Sequence, residues 1–193
     1  VGLKAVITCD LDLIRLSDAV IIPGVGAFGE AMESIHALNL FHSLIECDKK
    51  SKPILGICLG MQMLFSESSE FGVYKGLNLI PGVVIKLEKP KVTSEILKTP
   101  HIGWSQICDN GTSWDNLILD GIENGEMMYF VHSYVVKPED QSIIISTTSY
   151  EGIIFCSGIK YKNISAVQFH PERSGPTGLK IFENFKVMIE QGK

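Results

Sequence analysis

Two short stretches hold residues able to do covalent chemistry together. In Gly56-Ile-Cys58-Leu-Gly60 a cysteine stands at the end of an apolar run, and in Phe169-His170-Pro-Glu172 an imidazole and a carboxylate flank a proline. A cysteine nucleophile needs an imidazole to take its proton, and the imidazole needs a third group on its other nitrogen to fix tautomer and orientation. Cys58, His170 and Glu172 are of the right types for those three roles. Each stretch alone has a plainer explanation. Cys58 reads equally as a small buried residue at the end of a core strand, and His170 as a strand-end histidine beside a surface glutamate. Together they favour attack of a thiol on an acyl or amide carbon.

The elements around Cys58 support that chemistry. Residues 53–57 read as a buried strand, and Leu59, Gln62, Met63 and Phe65 suit a following helix, so Gly56 and Gly60 flank a tight strand-to-helix turn. This is the arrangement of a nucleophile elbow, which lifts one side chain out of a sheet. A helix N-terminus at that point is expected to lower the thiol pKa and favour the thiolate. Upstream, residues 4–9 and 16–22 read as strands, the second entering Pro23-Gly-Val-Gly-Ala-Phe-Gly29, with a helix over residues 30–46. The loop has two uses. Gly24-x-Gly26-x-x-Gly29 matches a dinucleotide-binding fingerprint, but the acidic residue expected at the end of the next strand is absent, since that strand ends at Cys58. Alternatively, its backbone N–H groups lie near the elbow and stabilise an oxyanion.

Beyond the elbow, residues 66–72 read as a polar loop able to cover it, with regular structure resuming at residues 83–87. There Glu67 and Glu70 are either solvated charges or ligands for an ammonium group. Pro100-His-Ile-Gly-Trp104 places an aromatic at an edge or opening. Strands follow over residues 127–136, 142–150, 153–161 and 164–169, the later ones as antiparallel hairpins turning at Tyr150-Glu-Gly152. A last amphipathic helix spans residues 177–189, with Leu179, Phe182, Phe185, Val187 and Ile189 on its apolar side.

A chain of 193 residues suits one α/β domain, residues 1–193. Its net charge of −5 gives no basic stripe for nucleic acid, and its apolar runs are strand-length rather than membrane-spanning. Five cysteines without metal-ligand or disulfide spacing fit free thiols in the cytoplasm; no metal or cofactor is expected.

Taken in order, Pro23-Gly-Val-Gly-Ala-Phe-Gly-Glu-Ala-Met32, Gly-Ile-Cys58-Leu-Gly-Met-Gln62, Lys75-Gly-Leu, Pro100-His-Ile-Gly-Trp104, Tyr129-Phe-Val-His-Ser-Tyr134 and Gln-Phe-His170-Pro-Glu172 resemble the class I (triad) glutamine amidotransferases. Within that family the resemblance is closest to the glutaminase-subunit branch of imidazole glycerol phosphate synthase. It implies a flavodoxin-like fold with a largely parallel central sheet plus antiparallel strands. It implies hydrolysis of glutamine to glutamate and ammonia through a Cys58 thioester, with His170 as acid/base and Glu172 orienting it. By resemblance, backbone at Val25, Gly26 and Leu59 forms the oxyanion hole, and Gly26, Gln62, Glu70, His132, Ser133 and Tyr134 bind glutamine. The implied partner is a (β/α)8-barrel cyclase in a heterodimer. It would receive the ammonia, form imidazole glycerol phosphate and aminoimidazole carboxamide ribotide in histidine biosynthesis, and meet His101, Gly103, Trp104 and Arg173.

Two positions depart from the family pattern, Ser105 where asparagine is frequent and Arg173 where lysine is usual. A paralogue feeding another synthase, such as one that amidates surface sugars, is the alternative. The family begins with a strand and helix ahead of this chain's first residues. A unit of ~30 residues is therefore expected to be missing, leaving a gap within the sheet and poor stability for the chain alone.

Overall fold

A computed structural model describes residues 1–88 and 98–192. In chain order the elements are α1 (Leu11–Leu16), β1 (Val20–Ile22), α2 (Phe28–Ala37), α3 (Leu40–Lys49), β2 (Ile54–Ile57), α4 (Leu59–Met63), β3 (Phe65–Ser68), β4 (Tyr74–Lys75) and β5 (Ile80–Lys86). They continue as β6 (His101–Gln106), β7 (Met127–His132), β8 (Tyr134–Pro138), β9 (Ile144–Tyr150), β10 (Ile153–Tyr161), β11 (Ile164–Val167) and α5 (Gly175–Gln191). The central sheet has the order β1-β2-β11-β10-β9. Its first three strands run parallel, and β10 and β9 are added antiparallel. Smaller sheets of order β4-β3-β5-β8 and β6-β7 complete the fold.

Side-chain alternation along β2 and β11 divides the core between the two faces of this sheet. Ile54, Ile164 and Ala166 pack on one side with Phe28, Met32, Ile35 and Leu44 of α2 and α3. Leu55, Ile57 and Val167 pack on the other with Phe130, Ile181 and Phe185. Such burial on both faces is why these strands are dominated by apolar residues, with Ser165 the polar exception in β11.

Several expected elements take a different form. Residues 4–9 form no strand; Val6 and Ile7 are exposed, and the sheet ends at β1. The strands β1, β2 and β11 are contiguous, so no gap lies within the sheet; the open side is the edge of β1. The strand expected over residues 16–22 is confined to Val20–Ile22 because residues 11–16 are helical. Asp10 starts that helix, its carboxylate accepting from the N–H groups of Asp12 and Leu13, and Lys52 Nζ closes it by donating to the carbonyls of Ile14 and Arg15.

The helix expected over residues 30–46 is two helices, broken where Asn39 adopts a left-handed φ of 56°. The polar loop at residues 66–72 begins as strand β3, whose backbone pairs with β5. Regular structure therefore returns earlier than residue 83. The strand expected over residues 127–136 is interrupted at Ser133, where the chain passes from the β6 sheet to the β5 sheet. On α5 the apolar face is rotated from the expected one: Gly178, Ile181 and Phe185 are buried, whereas Leu179 and Val187 are about half exposed at 50% and 48%. Of the charged stretch before Pro100, residues 89–97 lie outside the described residues.

Candidate active site

Cys58 occupies the corner between β2 and α4 with φ 53° and ψ −111°. A cysteine rarely adopts that conformation, and strain of this kind concentrates at functional corners. The flanking glycines are there because backbone passes too close for a side chain. A Cβ on Gly60 would lie 1.7 Å from the Ile22 carbonyl oxygen, and one on Gly56 would lie 3.0 Å from Met61 backbone. The Cys58 N–H donates to the Val167 carbonyl (2.8 Å), extending the parallel ladder in which Ile57 faces Val167. Cys58 and the segment leading to His170 therefore leave the C-terminal ends of adjacent parallel strands, the usual position for a site in an α/β sheet.

The His170 N–H donates to the Tyr129 carbonyl (2.9 Å). Its Nδ1 lies 2.7 Å from Glu172 Oε1, and because the carboxylate only accepts, Nδ1 carries the proton. Nε2 is left as the free acceptor, buried and without a hydrogen-bond partner. Cys58 is not bonded to it. The thiol faces the Val131 carbonyl (Sγ to O 3.8 Å) and accepts from Gln168 Nε2 (3.5 Å).

Burial pushes the Cys58 thiol up to about 12, Glu172 adds to the rise, and the Leu59 N–H and Gln168 amide offset only part of it. The expectation of a resting thiolate is therefore overturned. Desolvation outweighs the turn of backbone N–H groups, and α4 is only five residues long, too short for a strong terminal field.

The glycine-rich loop lies against this corner. A Cβ on Gly24 would sit 3.0 Å from Leu59 Cβ, so Gly24 brings the loop backbone onto the elbow. Gly26 has φ 95°, and Val25 is exposed beside it. Glu70 Oε2 accepts from the Phe28 N–H at 2.7 Å. A carboxylate thus already occupies the N-terminus of α2, where a dinucleotide's phosphates would have to sit. The dinucleotide alternative fails on that contact. Glu67 instead pairs with Lys75.

Gln62, expected to contact substrate, is buried and donates both N–H groups internally, to the Tyr134 carbonyl (3.0 Å) and to Gln168 Oε1 (3.1 Å). His132 is buried and bonded to His101 and to the Tyr134 carbonyl, and the Ser133 carbonyl accepts from the Leu87 N–H. Residues expected at a partner surface divide. Ile102 and Trp104 point outward at 60% and 51% exposure, and Arg173 lies over the Tyr129 ring (4.5 Å). His101 faces inward at 1% exposure and stacks on Phe130 and Tyr150. Gly103, between them, has φ 141°, a conformation open to glycine.

Two residues at the site were not expected. Gln168 touches both Cys58 and Gln62, and its two-residue spacing from His170 in an extended segment was a usable signal. Ser174 donates to the His170 carbonyl (2.6 Å) and accepts from the Tyr129 N–H (3.0 Å), holding the histidine turn against β7. No spacing rule marks it.

A thiol at a strained elbow, a histidine held by a carboxylate and the Leu59 N–H beside the sulfur are the groups that attack of a thiol on an amide carbon needs. The family model "Glutamine amidotransferase class-I" matches residues 5–189, and the chain belongs to that family. Its curated relatives include proteins named imidazole glycerol phosphate synthase subunit HisH. The Archaeoglobus fulgidus protein is 45% identical, covering 99% of this chain and 89% of its own length. The Aquifex aeolicus protein is 43% identical over 97% and 86%, and the Syntrophotalea carbinolica protein 42% over 96% and 88%. A crystal structure described as a glutamine amidotransferase superposes with TM-score 0.71 at 13% identity, covering 98% of this chain and 88% of its own, which shows the shared fold. The chain is thus a glutamine amidotransferase of the HisH kind, as its near full-length relatives are. Among the described residues no helix is long and apolar enough to cross a membrane.

Proposed function

We propose that this chain hydrolyses glutamine through a thioester on Cys58 and delivers the ammonia to a cyclase partner that makes imidazole glycerol phosphate in histidine biosynthesis. The observation that carries the chemistry is the unpartnered, buried Nε2 of His170, whose other nitrogen is held by Glu172 2.7 Å away. As Cys58 sulfur attacks the carboxamide carbon, its proton passes to that nitrogen. His170 then gives the proton to the departing ammonia, leaving a glutamyl thioester. Water, deprotonated by the same nitrogen, attacks the thioester and releases glutamate and the thiol. Because the resting thiol points to the Val131 carbonyl, a rotation of the side chain precedes the attack.

The Leu59 N–H and the backbone at Val25 or Gly26 stabilise the oxyanion. Glu70 Oε1 binds the substrate ammonium while Oε2 holds α2. Gln62 has only its carbonyl oxygen left to offer, so it accepts from the substrate rather than donating to it. Ser133 and Tyr134 complete the strand along which glutamine lies.

The partner reading rests on the relatives' names, which call each a synthase subunit, and on the outer face of β6 and β7. Ile102, Trp104 and Met127 are exposed there beside Arg173, an apolar patch with one cation at its rim. A (β/α)8-barrel cyclase would cover it in a cytoplasmic heterodimer and take up ammonia near Trp104. Glutaminase activity, measured with and without that cyclase, tests the proposal. It predicts activity stimulated by the cyclase and abolished in Cys58→Ala; wild-type activity indifferent to the cyclase would remove the pathway assignment.

A further inference from the structure

Two runs of hydrogen bonds, one from the strand β6 and one through the amides beside the nucleophile, meet at the Tyr134 carbonyl. His132 Nδ1 lies 3.0 Å from the Tyr134 carbonyl, which can only accept, so His132 carries its proton on Nδ1. His132 Nε2 is then an acceptor, and its partner 3.0 Å away, His101 Nδ1, must donate. That leaves His101 Nε2 as an acceptor, and the hydroxyl 2.9 Å from it, Ser105 Oγ, must donate.

The opposite assignment would set the lone pair of His132 Nδ1 against a carbonyl lone pair. A second proton on either ring is opposed by burial, which pushes His132 down to about 3 and His101 down to about 4. The His101 ring stacks on Tyr150, with ring centres 4.0 Å apart, and on Phe130, which hold its plane. From the Tyr134 carbonyl the chain continues inward: the oxygen also accepts from Gln62 Nε2, Gln62 donates to Gln168 Oε1, and Gln168 Nε2 donates to Cys58 Sγ.

We infer that Ser105 and His101 are positioning residues for the glutaminase reaction, holding through His132 the Tyr134 carbonyl that anchors Gln62 and, through it, the Gln168 amide at the Cys58 thiol. From Ser105 to His132 each member sets its neighbour's donor and acceptor; the Tyr134 carbonyl only accepts, so beyond it the array passes on position rather than polarity. Reversing one amide would place N–H against N–H or oxygen against oxygen, so the array has one satisfied arrangement. Ser105 starts the array, two strand positions from the inward-facing Gly103 and next to exposed Trp104. Its hydroxyl donates to His101 Nε2.

The inference rests on the reading of Cys58 as nucleophile, and the test separates the two. In the full chain with its cyclase, imidazole 15N spectra of the wild type should show both His101 and His132 as Nδ1–H tautomers, unchanged from pH 5 to 8. Ser105→Ala should lower kcat about tenfold with KM within about twofold, the loss expected for one hydrogen bond in a coupled network. Ser105→Thr, which keeps the hydroxyl, should restore kcat even where both variants melt at the same temperature. An Nε2–H tautomer at His132, or an Ala variant with wild-type kcat, would overturn the inference, as would a loss that threonine fails to rescue. Turnover surviving in Cys58→Ala would refute the nucleophile instead, with the tautomers untouched.

Discussion

The resting state of Cys58 can be titrated by alkylation. With glutamine absent, burial holds the thiol at about 12 rather than about 9, a difference worth about 4 kcal/mol between its two protonation states. At pH 8 such a thiol is ionised in about one molecule in ten thousand, against about one in ten for a thiol at 9. A thiolate of higher pKa is intrinsically more nucleophilic, which recovers roughly twentyfold of that thousandfold deficit. The expected iodoacetamide rate at Cys58 is therefore roughly fiftyfold below that of a free model thiol, before any steric effect of burial. It should rise about tenfold per pH unit from pH 8 to 11 without a plateau. Peptide mapping distinguishes Cys58 from exposed Cys9 in the same sample.

Stability follows from the same ionisation. Above about pH 9 the unfolded chain has lost this proton and the folded chain keeps it, so stability falls as pH rises through that range and is unaffected below it. Cys156, fully buried and also pushed up to about 12, contributes a similar slope, so the informative quantity is the difference between the wild type and Cys58→Ala. A plateau in the alkylation rate with a midpoint below about 9 would refute the claim that desolvation dominates at this corner.

Other substitutions probe separate parts of the structure. Glu172→Gln keeps the shape but replaces a group that only accepts with an amide that can also donate, so the proton is no longer fixed on His170 Nδ1, and kcat should fall by about 10² to 10⁴ with KM little changed; a loss below threefold would count against the triad. Gly60→Ala drives a Cβ into the Ile22 carbonyl and should cost about 3 kcal/mol in urea unfolding, so an unchanged midpoint would mean that β1 is not packed on α4. Asn184→Leu removes the two donations to the carbonyls of Ile118 and Asp120 and should destabilise by about 2 kcal/mol without changing KM for glutamine.

Much of the site was legible because it depends on local geometry. Gly56 and Gly60 mark a corner that admits no side chain, and the His170-Pro-Glu172 spacing lets a turn fold the carboxylate back onto the ring. Strands buried on both faces, such as β2 and β11, announce themselves as apolar runs. What was not legible depends on contacts far apart in sequence. Residues 4–9 have strand composition, but a strand exists only where a partner edge lies beside it. The direction of the thiol's shift is not legible in the sequence, because a helix N-terminus is visible there while burial by Val131, Gln168 and their neighbours is not. The resemblance puts His101 at the partner interface with its whole segment, yet alternation along β6 turns it inward and leaves Ile102 and Trp104 outside. Ser174 shows no periodic signal at all, since its hydroxyl bridges two segments that meet only in the folded chain.

In the mechanism proposed, one sulfur carries the reaction. Incubating the complex with glutamine, quenching in acid and mapping peptides by mass tests it directly. Glutamine should leave a glutamyl thioester on Cys58 that is absent from Cys58→Ala, and an electrophilic glutamine analogue should alkylate Cys58 more slowly in His170→Asn than in the wild type. Glutamate production by Cys58→Ala at the wild-type rate, or an adduct on another cysteine, would contradict it.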